Sequence, residues 1–371
     1  MSKHILITGG AGFIGSHLAD LMLNLGYRVR ALDNLSLQVH GTDRKRPEYL
    51  NPEVELLVGD VRDPQVMRHA LKGIDTVYHF AAVVGVGQSM YEITNYTSTN
   101  NLGTAVLLEA LIDQPVEQLI VASSMSIYGE GLYKTPSGNL CTGNRQLEQL
   151  KAGDWEVRNT EQEVLLPIPT PETKQPTLAS VYALSKFDQE QMCLIFGKTY
   201  GINSVGLRFF NTYGTRQALS NPYTGVLAIF ASRLLNNNPP LIFEDGYQKR
   251  DFVSIHDVVQ ACRLAMEIPE AAGKVFNVAS DRQYTVLEAA QLMAKVLGKE
   301  HIQPLITGKY RVGDVRHCFA DITQARTTLG YKPRVTLEDG LVELATWLEG
   351  QVAFDRVVEA SAELAARGLS V

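Results

Sequence analysis

The run Thr8-Gly9-Gly10-Ala11-Gly12-Phe13-Ile14-Gly15 constrains what this chain can fold into more than any other feature. It follows a strand pattern over residues 4–8 and opens a helical pattern over 14–25. Its glycines permit a tight turn, close approach of backbone to a pyrophosphate, and close packing of helix on strand. The helix start adds free N–H groups and the positive end of a dipole. Strand, turn and helix stand in the order a dinucleotide site requires; the alternative is a glycine-rich turn without a ligand. Asp33 ends the second strand pattern, 18 residues after Gly15. There a carboxylate can accept both hydroxyls of an adenosine ribose and would repel a 2′-phosphate, which favours NAD over NADP. Asn34 follows, so a turn-forming role competes for Asp33. Asp60, in Gly59-Asp60-Val61, ends the third strand pattern, facing the adenine amino group or capping a nearby helix. The candidate cofactor contacts are Gly9, Gly12, Phe13, Ile14, Gly15, Asp33, Asn34, Asp60 and Val61.

Short apolar runs at 28–33, 54–59, 76–80, 118–123 and 204–209 alternate with helical patterns at 64–71, 99–112 and 180–200. That alternation predicts an α/β fold: a Rossmann-type, doubly wound parallel sheet covered on both faces. The 371 residues allow about two domains and need neither disulfides nor metal for a core. Residues 1–210 form the expected NAD-binding domain, with an inserted surface flap of little core at about 132–175 and a returning segment at about 251–280. Residues 211–250 and 281–350 form a smaller mixed α/β substrate domain, and 351–371 a helical tail.

Net charge is −6, which gives no general attraction to nucleic acid or an anionic membrane. No apolar run reaches the roughly 18 residues of a membrane helix, and the strand pattern at the N-terminus lacks a signal-peptide cleavage region. Cys141, Cys193, Cys262 and Cys318 lie at least 52 residues apart, which suits neither a disulfide framework nor a zinc site. A reducing, cytoplasmic setting and no metal are expected.

Tyr182 and Lys186 stand four residues apart, on one helical face. A phenol is too weak an acid for a neutral-pH base, but a neighbouring ammonium and a cationic nicotinamide both favour the phenolate. The pair can therefore move a proton on a sugar hydroxyl while NAD takes a hydride. A solvated helix face is the alternative.

Seven segments in order carry a resemblance: the glycine turn, His79-Phe80-Ala81-Ala82, Asn100-Asn101-Leu102-Gly103-Thr104, Ser123-Ser124-Met125-Ser126-Ile127-Tyr128-Gly129, Tyr182 to Lys186, Arg208-Phe209-Phe210-Asn211-Thr212-Tyr213-Gly214, and Arg250-Asp251-Phe252-Val253. Together they resemble the extended short-chain dehydrogenase/reductase family, the nucleotide-sugar epimerases and dehydratases. The resemblance implies Ser124, Tyr182 and Lys186 as the catalytic residues, with Ser124 bonding the sugar O4 and Lys186 the nicotinamide ribose. It implies that Phe80, Ala81, Ala82, Asn100 and Phe209 line the cofactor. It implies substrate contacts from Ser124, Ser126, Asn211, Arg250, Arg311 and Asp314, the two arginines on the pyrophosphate; a surface ion pair is the alternative for each arginine.

The family's 4,6-dehydratases carry an Asp-Glu pair after the catalytic Ser or Thr, and its decarboxylases a Glu. This chain has Met125 and Ser126, neither a general acid nor a base. What remains resembles the 4-epimerases, which invert C4 of a nucleotide-diphosphate sugar through a transient 4-keto sugar. The stretches 83–88 and 216–223 and the insert length resemble the dTDP-L-rhamnose 4-epimerase branch, which implies a 6-deoxyhexose. The alternatives are a UDP-glucose/UDP-galactose-type 4-epimerase, a dehydratase with displaced acid-base residues, and a non-catalytic NAD-binding scaffold. The resemblance also implies a homodimer, paired through helices at 99–112 and 180–200.

Overall fold

A strand with apolar side chains at consecutive positions has no solvent face, and β1 (His4–Thr8) lies that way, with Ile5, Leu6 and Ile7 fully buried. The structure is a computed structural model describing residues 2–219, 221, 223, 225–311, 313–351, 355 and 357–370. Positions 220, 222 and 312, within stretches singled out above, lie outside the described residues. In one sheet β1 joins β2 (Arg28–Asp33), β3 (Glu55–Val58), β4 (Thr76–His79), β5 (Gln118–Ser124), β6 (Asn203–Phe209) and β7 (Val275–Val278). The order is β7-β6-β5-β4-β1-β2-β3, with every pairing parallel. Strand order reverses between β1 and β4, where the carboxyl ends of a doubly wound sheet open a crevice for a ligand.

The helices that position the site are α1 (Phe13–Asn24), α2 (Pro64–Ala70), α3 (Gly103–Asp113), α4 (Val181–Tyr200), α5 (Val226–Leu235), α6 (Ile255–Glu267), α7 (Val286–Val296), α8 (Leu337–Leu348) and α9 (Val357–Ala366). One sheet face buries Leu18, Ile120, Val258 and Cys262 with α1 and α6; the other buries Leu107, Leu119 and Phe196 with α3 and α4. Local signals set the ends. Asp63 caps α2 by accepting from the N–H groups of Gln65 (2.8 Å) and Val66 (3.2 Å). Ser180 caps α4 through Ala183 N–H at 3.0 Å, and Gly201, at φ +72°, closes it.

The pattern at 99–112 predicts one α-helix, but a π-helical turn over Thr97–Leu102 precedes α3. The Asn100 amide is bonded to both backbone groups of Val83 there, which holds the widened turn in place. The segment at 251–280 meets the large sheet through α6, packed on its face, and through β7. Only β7 extends the large sheet; Phe252–Ser254 pairs with Asn211–Tyr213 instead. Ser254 caps α6 at once, so that strand ends after three residues.

A second core lies among α5, α7 and α8, with Tyr213, Phe230, Leu234, Met293, Leu341 and Leu344. The insert forms a three-stranded antiparallel sheet of Leu140–Cys141, Leu132–Lys134 and Leu166–Ile168 over a core of Tyr133, Val157 and Leu165. Buried charge ties it down: Arg145 meets Glu130 at 3.3 Å and Glu244 at 2.7 Å, and Arg316 meets Glu244 at 3.2 Å and Glu156 and Asp245 at 2.5 Å. The Glu130 carboxylate also accepts from the N–H groups of Arg316 (2.8 Å) and His317 (3.2 Å). In the tail, Asp355 meets Arg233 at 3.0 Å, and α9 buries Val357, Ala360 and Leu364. Among the described residues, no helix is long and apolar enough to cross a membrane.

Candidate active site

The glycine turn joins β1 to α1 at the switch point. Gly9 has φ +70°, and a Cβ there would lie 3.0–3.1 Å from the backbone of Phe80 and Ala81. A Cβ on Gly15 would strike the Gly9 carbonyl, so helix and turn can touch only at a glycine. A Cβ on Gly12 would meet only the Gly9 carbonyl oxygen, at 3.3 Å, so the turn is open on that side. The first turn of α1, from Phe13 and Ile14, has no side-chain cap and no acidic residue, which leaves its N–H groups and positive end for an anion. These features fit a pyrophosphate.

The Asp33 carboxylate accepts from Ala11 N–H at 3.1 Å and Leu35 N–H at 2.9 Å, with His40 Nε2 at 3.6 Å. It therefore makes the turn, and its remaining lone pairs can still take ribose hydroxyls. Asp60 is forked by Arg62 Nε at 2.8 Å and Nη2 at 2.7 Å and accepts from Asn34 Nδ2 at 3.3 Å; the Arg62 hydrogen bonds hold its carboxyl at about 2. The helix-cap role belongs to Asp63, not Asp60. Val61 is buried in the core under α3. The Phe80 and Ala81 N–H groups share Thr8 Oγ1 at 3.1 and 3.2 Å, and the Phe80 ring meets Phe209 edge-on at 6.0 Å; Ala82 is half-buried beside them. Every polar atom of the Asn100 amide is engaged within the protein, with Val83 and with Ser185 Oγ at 2.9 Å. Asn100 thus shapes the wall after β4.

Ser124 ends β5, and Tyr182 and Lys186 lie on the buried face of α4. Ser124 Oγ accepts from Ser126 Oγ at 2.8 Å and Ser126 N–H at 3.2 Å, and it faces the Tyr182 hydroxyl. Burial pushes the Tyr182 phenol up, and the neighbouring Ser124 hydroxyl opposes it. Lys186 is 3% exposed, and desolvation lowers its ammonium to about 8. Neither side chain is on a solvated helix face.

Among the residues expected to meet the substrate, Asn211 carries a buried Oδ1 without a partner. Arg311 Nε is likewise buried and unpartnered, its guanidinium is 4.1 Å from the Phe243 ring centre, and desolvation lowers its pKa. A cation left this way suits a phosphate. Arg250 is engaged differently: it donates to the carbonyls of Lys249 and Arg316, each at 2.9 Å, and of Val315, and meets Asp314 Oδ1 at 3.5 Å. It is therefore no surface ion pair, and Asp314 orients it.

Motif matching passes over several side chains here. Tyr96 packs edge-on against Tyr182 at 6.3 Å. Tyr223 bonds Tyr91 at 2.5 Å and Glu363 of α9 at 3.2 Å, while Ser370 bridges Arg311. Gln189 receives the Lys186 ammonium at 2.6 Å. One signal was available for Gln189: Tyr182, Ser185, Lys186, Gln189, Glu190 and Cys193 recur every three or four residues, and a polar stripe on a buried helix face needs partners.

The chain matches the model of the NAD dependent epimerase/dehydratase family over residues 5–150 and 159–279. It is 34% identical over 352 residues to the dTDP-L-rhamnose 4-epimerase of Burkholderia thailandensis, covering 93% of this chain and 95% of that one. Among solved structures, the UDP-glucose 4-epimerase of Thermotoga maritima with UDP-glucose superposes with a TM-score of 0.76 at 32% identity, covering 93% of this chain and 98% of that one. The Thermus thermophilus UDP-glucose 4-epimerase in complex with NAD gives 0.74 at 28% identity, covering 94% and 100%. With the family matched over more than half its length, on a sheet and turn built for a dinucleotide, this protein belongs to the NAD-dependent epimerase/dehydratase family.

Proposed function

We propose that this enzyme is a nucleotide-sugar 4-epimerase acting on a 6-deoxyhexose, converting dTDP-L-rhamnose to dTDP-6-deoxy-L-talose. The observation that carries the reading is the pair Ser124–Ser126 beside Tyr182. The place where elimination needs an acid or base holds a hydroxyl that donates to Ser124. The Tyr182 phenolate takes the O4 proton while Ser124 holds that oxygen, and Lys186 keeps the phenolate favoured. The dinucleotide, when bound, supplies the hydride acceptor that C4 needs and returns the hydride to that carbon. Asn211 and Arg311 hold the diphosphate as a pivot while the flat 4-keto sugar presents its other face. Tyr182 then returns the proton to O4.

A UDP-hexose is the second reading, supported by the 32% identity to the Thermotoga enzyme. We also assign the protein to the cytoplasm as a homodimer; Leu102, Leu184 and Ile195 are exposed apolar residues on the two helical segments that would pair. The test incubates the protein with dTDP- and UDP-sugars in deuterated water and follows the C4 couplings by NMR. Inversion at C4 without deuterium there is expected, and deuterium at C5 together with loss of the C6 hydroxyl would mark a dehydratase. Tyr182→Phe should cut turnover by roughly 1000-fold and leave NAD bound. No turnover of any sugar by the NAD-loaded protein would leave the scaffold reading.

A further inference from the structure

Lys186 is a buried cation whose ammonium is received by a neutral group. Its Nζ donates to Gln189 Oε1 at 2.6 Å, and among the described residues no carboxylate pairs with it. Glu190, next along the helix, is held by Arg208 instead, with Nε at 2.9 Å and Nη2 at 2.7 Å.

The directions of the hydrogen bonds linking Thr8 to Gln189 follow from counting; Gln189 Nε2 also lies 3.3 Å from His79 Nε2, a contact of two donors in this arrangement and no bond. Thr8 Oγ1 accepts from the N–H groups of Phe80 and Ala81, so its lone pairs are occupied and its own proton goes to His79 Nδ1 at 2.8 Å. That fixes neutral His79 with its proton on Nε2, which donates to Thr104 Oγ1 at 2.9 Å. Burial holds His79 in this neutral form, lowering it to about 3. Thr104 gives its own proton to the Asn100 carbonyl at 2.5 Å and accepts from Gln189 Nε2 at 2.9 Å. The Gln189 amide therefore cannot flip: its NH2 is turned to Thr104, and its oxygen to Lys186.

We propose that Gln189 is a positioning residue for the reaction, its carboxamide locked by the Thr8–His79–Thr104 chain so that its oxygen holds the Lys186 ammonium in register with Tyr182. The inference rests on the reading of Tyr182 and Lys186 as the catalytic pair. The chain begins at Thr8, the residue before the glycine turn, so dinucleotide and proton-handling halves of the site share one set of hydrogen bonds. The other titratable groups around Lys186 are Tyr182, Glu190 and Cys193 on its own helix and His79 on β4. None of them supplies the oxygen that Gln189 does.

The test uses the NAD-loaded enzyme with Gln189→Met and Thr104→Val, each alone and combined. It reads kcat and KM against pH, together with bound NAD per chain. Without the oxygen the ammonium is less favoured, and so is the phenolate beside it. The ascending limb of kcat should move up by about one pH unit, and kcat at pH 7 should fall roughly 10- to 100-fold with KM little changed. Thr104→Val should move the limb the same way and add little in the Gln189→Met background, because it acts through Gln189. An unmoved limb in both single variants, with NAD retained and wild-type activity intact, would overturn the proposal. If Gln189→Met does not fold, Thr104→Val alone decides. Loss of the catalytic-pair reading gives a different result: a Tyr182→Phe enzyme that still turns over.

Discussion

Arg208 of β6 holds Glu190 of α4 in a two-point fork, at 2.9 and 2.7 Å, with Glu190 fully buried and Arg208 6% exposed at its side chain. The remaining Arg208 amine reaches the Tyr128 hydroxyl at 2.8 Å, which donates to Asn277 of β7 at 2.7 Å. The pair joins the helix that carries Tyr182 and Lys186 to the two strands at the sheet edge. Removing one partner leaves an uncompensated charge inside the protein, and Glu190→Ala should lower unfolding free energy by about 3–5 kcal/mol. The double replacement Glu190→Met with Arg208→Met should cost much less. Denaturant titration of the three variants checks both outcomes; equal losses would show that packing, not charge, dominates.

Lys186 gives a pH signature in the dinucleotide-free protein. Its folded pKa, about 8, lies below the ordinary 10.5, so the unfolded chain holds this proton more tightly. Burying the ammonium therefore costs stability fully below pH 8, and the cost fades as pH rises towards 10.5, amounting to about 3 kcal/mol at most. Relative to wild type, Lys186→Met should be favoured most near pH 7 and lose that advantage between pH 8 and 10.5. Melting curves of both proteins across that range decide; a difference that does not change with pH would contradict the depressed value.

Arg250 and Arg311, the two arginines the resemblance implies on the pyrophosphate, should separate in their effects. Arg250 satisfies three backbone carbonyls, and Arg250→Ala should destabilise the fold by roughly 2–4 kcal/mol. Arg311 has a free Nε, and Arg311→Ala should raise KM for the nucleotide sugar about 10- to 100-fold with little change in melting temperature. Steady-state kinetics and thermal melts, run side by side, test the contrast.

Asp33 should couple cofactor affinity to turn stability. Its carboxylate receives the N–H groups of Ala11 and Leu35, so Asp33→Ala leaves both without an acceptor and should cost roughly 2 kcal/mol of stability. Weaker NAD binding should accompany it, measured by calorimetry on protein stripped of dinucleotide. Unchanged affinity would show that the carboxylate serves the turn alone.

The sheet was legible because each strand is a local statement: a short apolar run closed by a turn residue. The glycine turn was legible for the same reason, as was α4, bounded by Ser180 and Gly201. What escaped depends on residues far apart in sequence. The π-helical turn forms because Asn100 reaches Val83, 17 positions back. Phe252–Ser254 lies outside the large sheet because its partner is Asn211–Tyr213. Ser124, Tyr182 and Lys186 carry motifs; Gln189, which holds Lys186, carries none, since an amide is read only through the neighbours that orient it.

The buried charges under the insert decide what can be transplanted. Glu130, Arg145 and Glu156 lie in or beside it, but their partners Glu244 and Arg316 come from elsewhere in the chain, and Arg316 also holds Asp245. A chimera that replaces 132–175 with a segment lacking the Glu156 carboxylate would strip Arg316 of one of its partners. The smallest exchangeable block therefore includes 130–175 together with 244–245 and 314–317, three pieces of sequence that behave as one part.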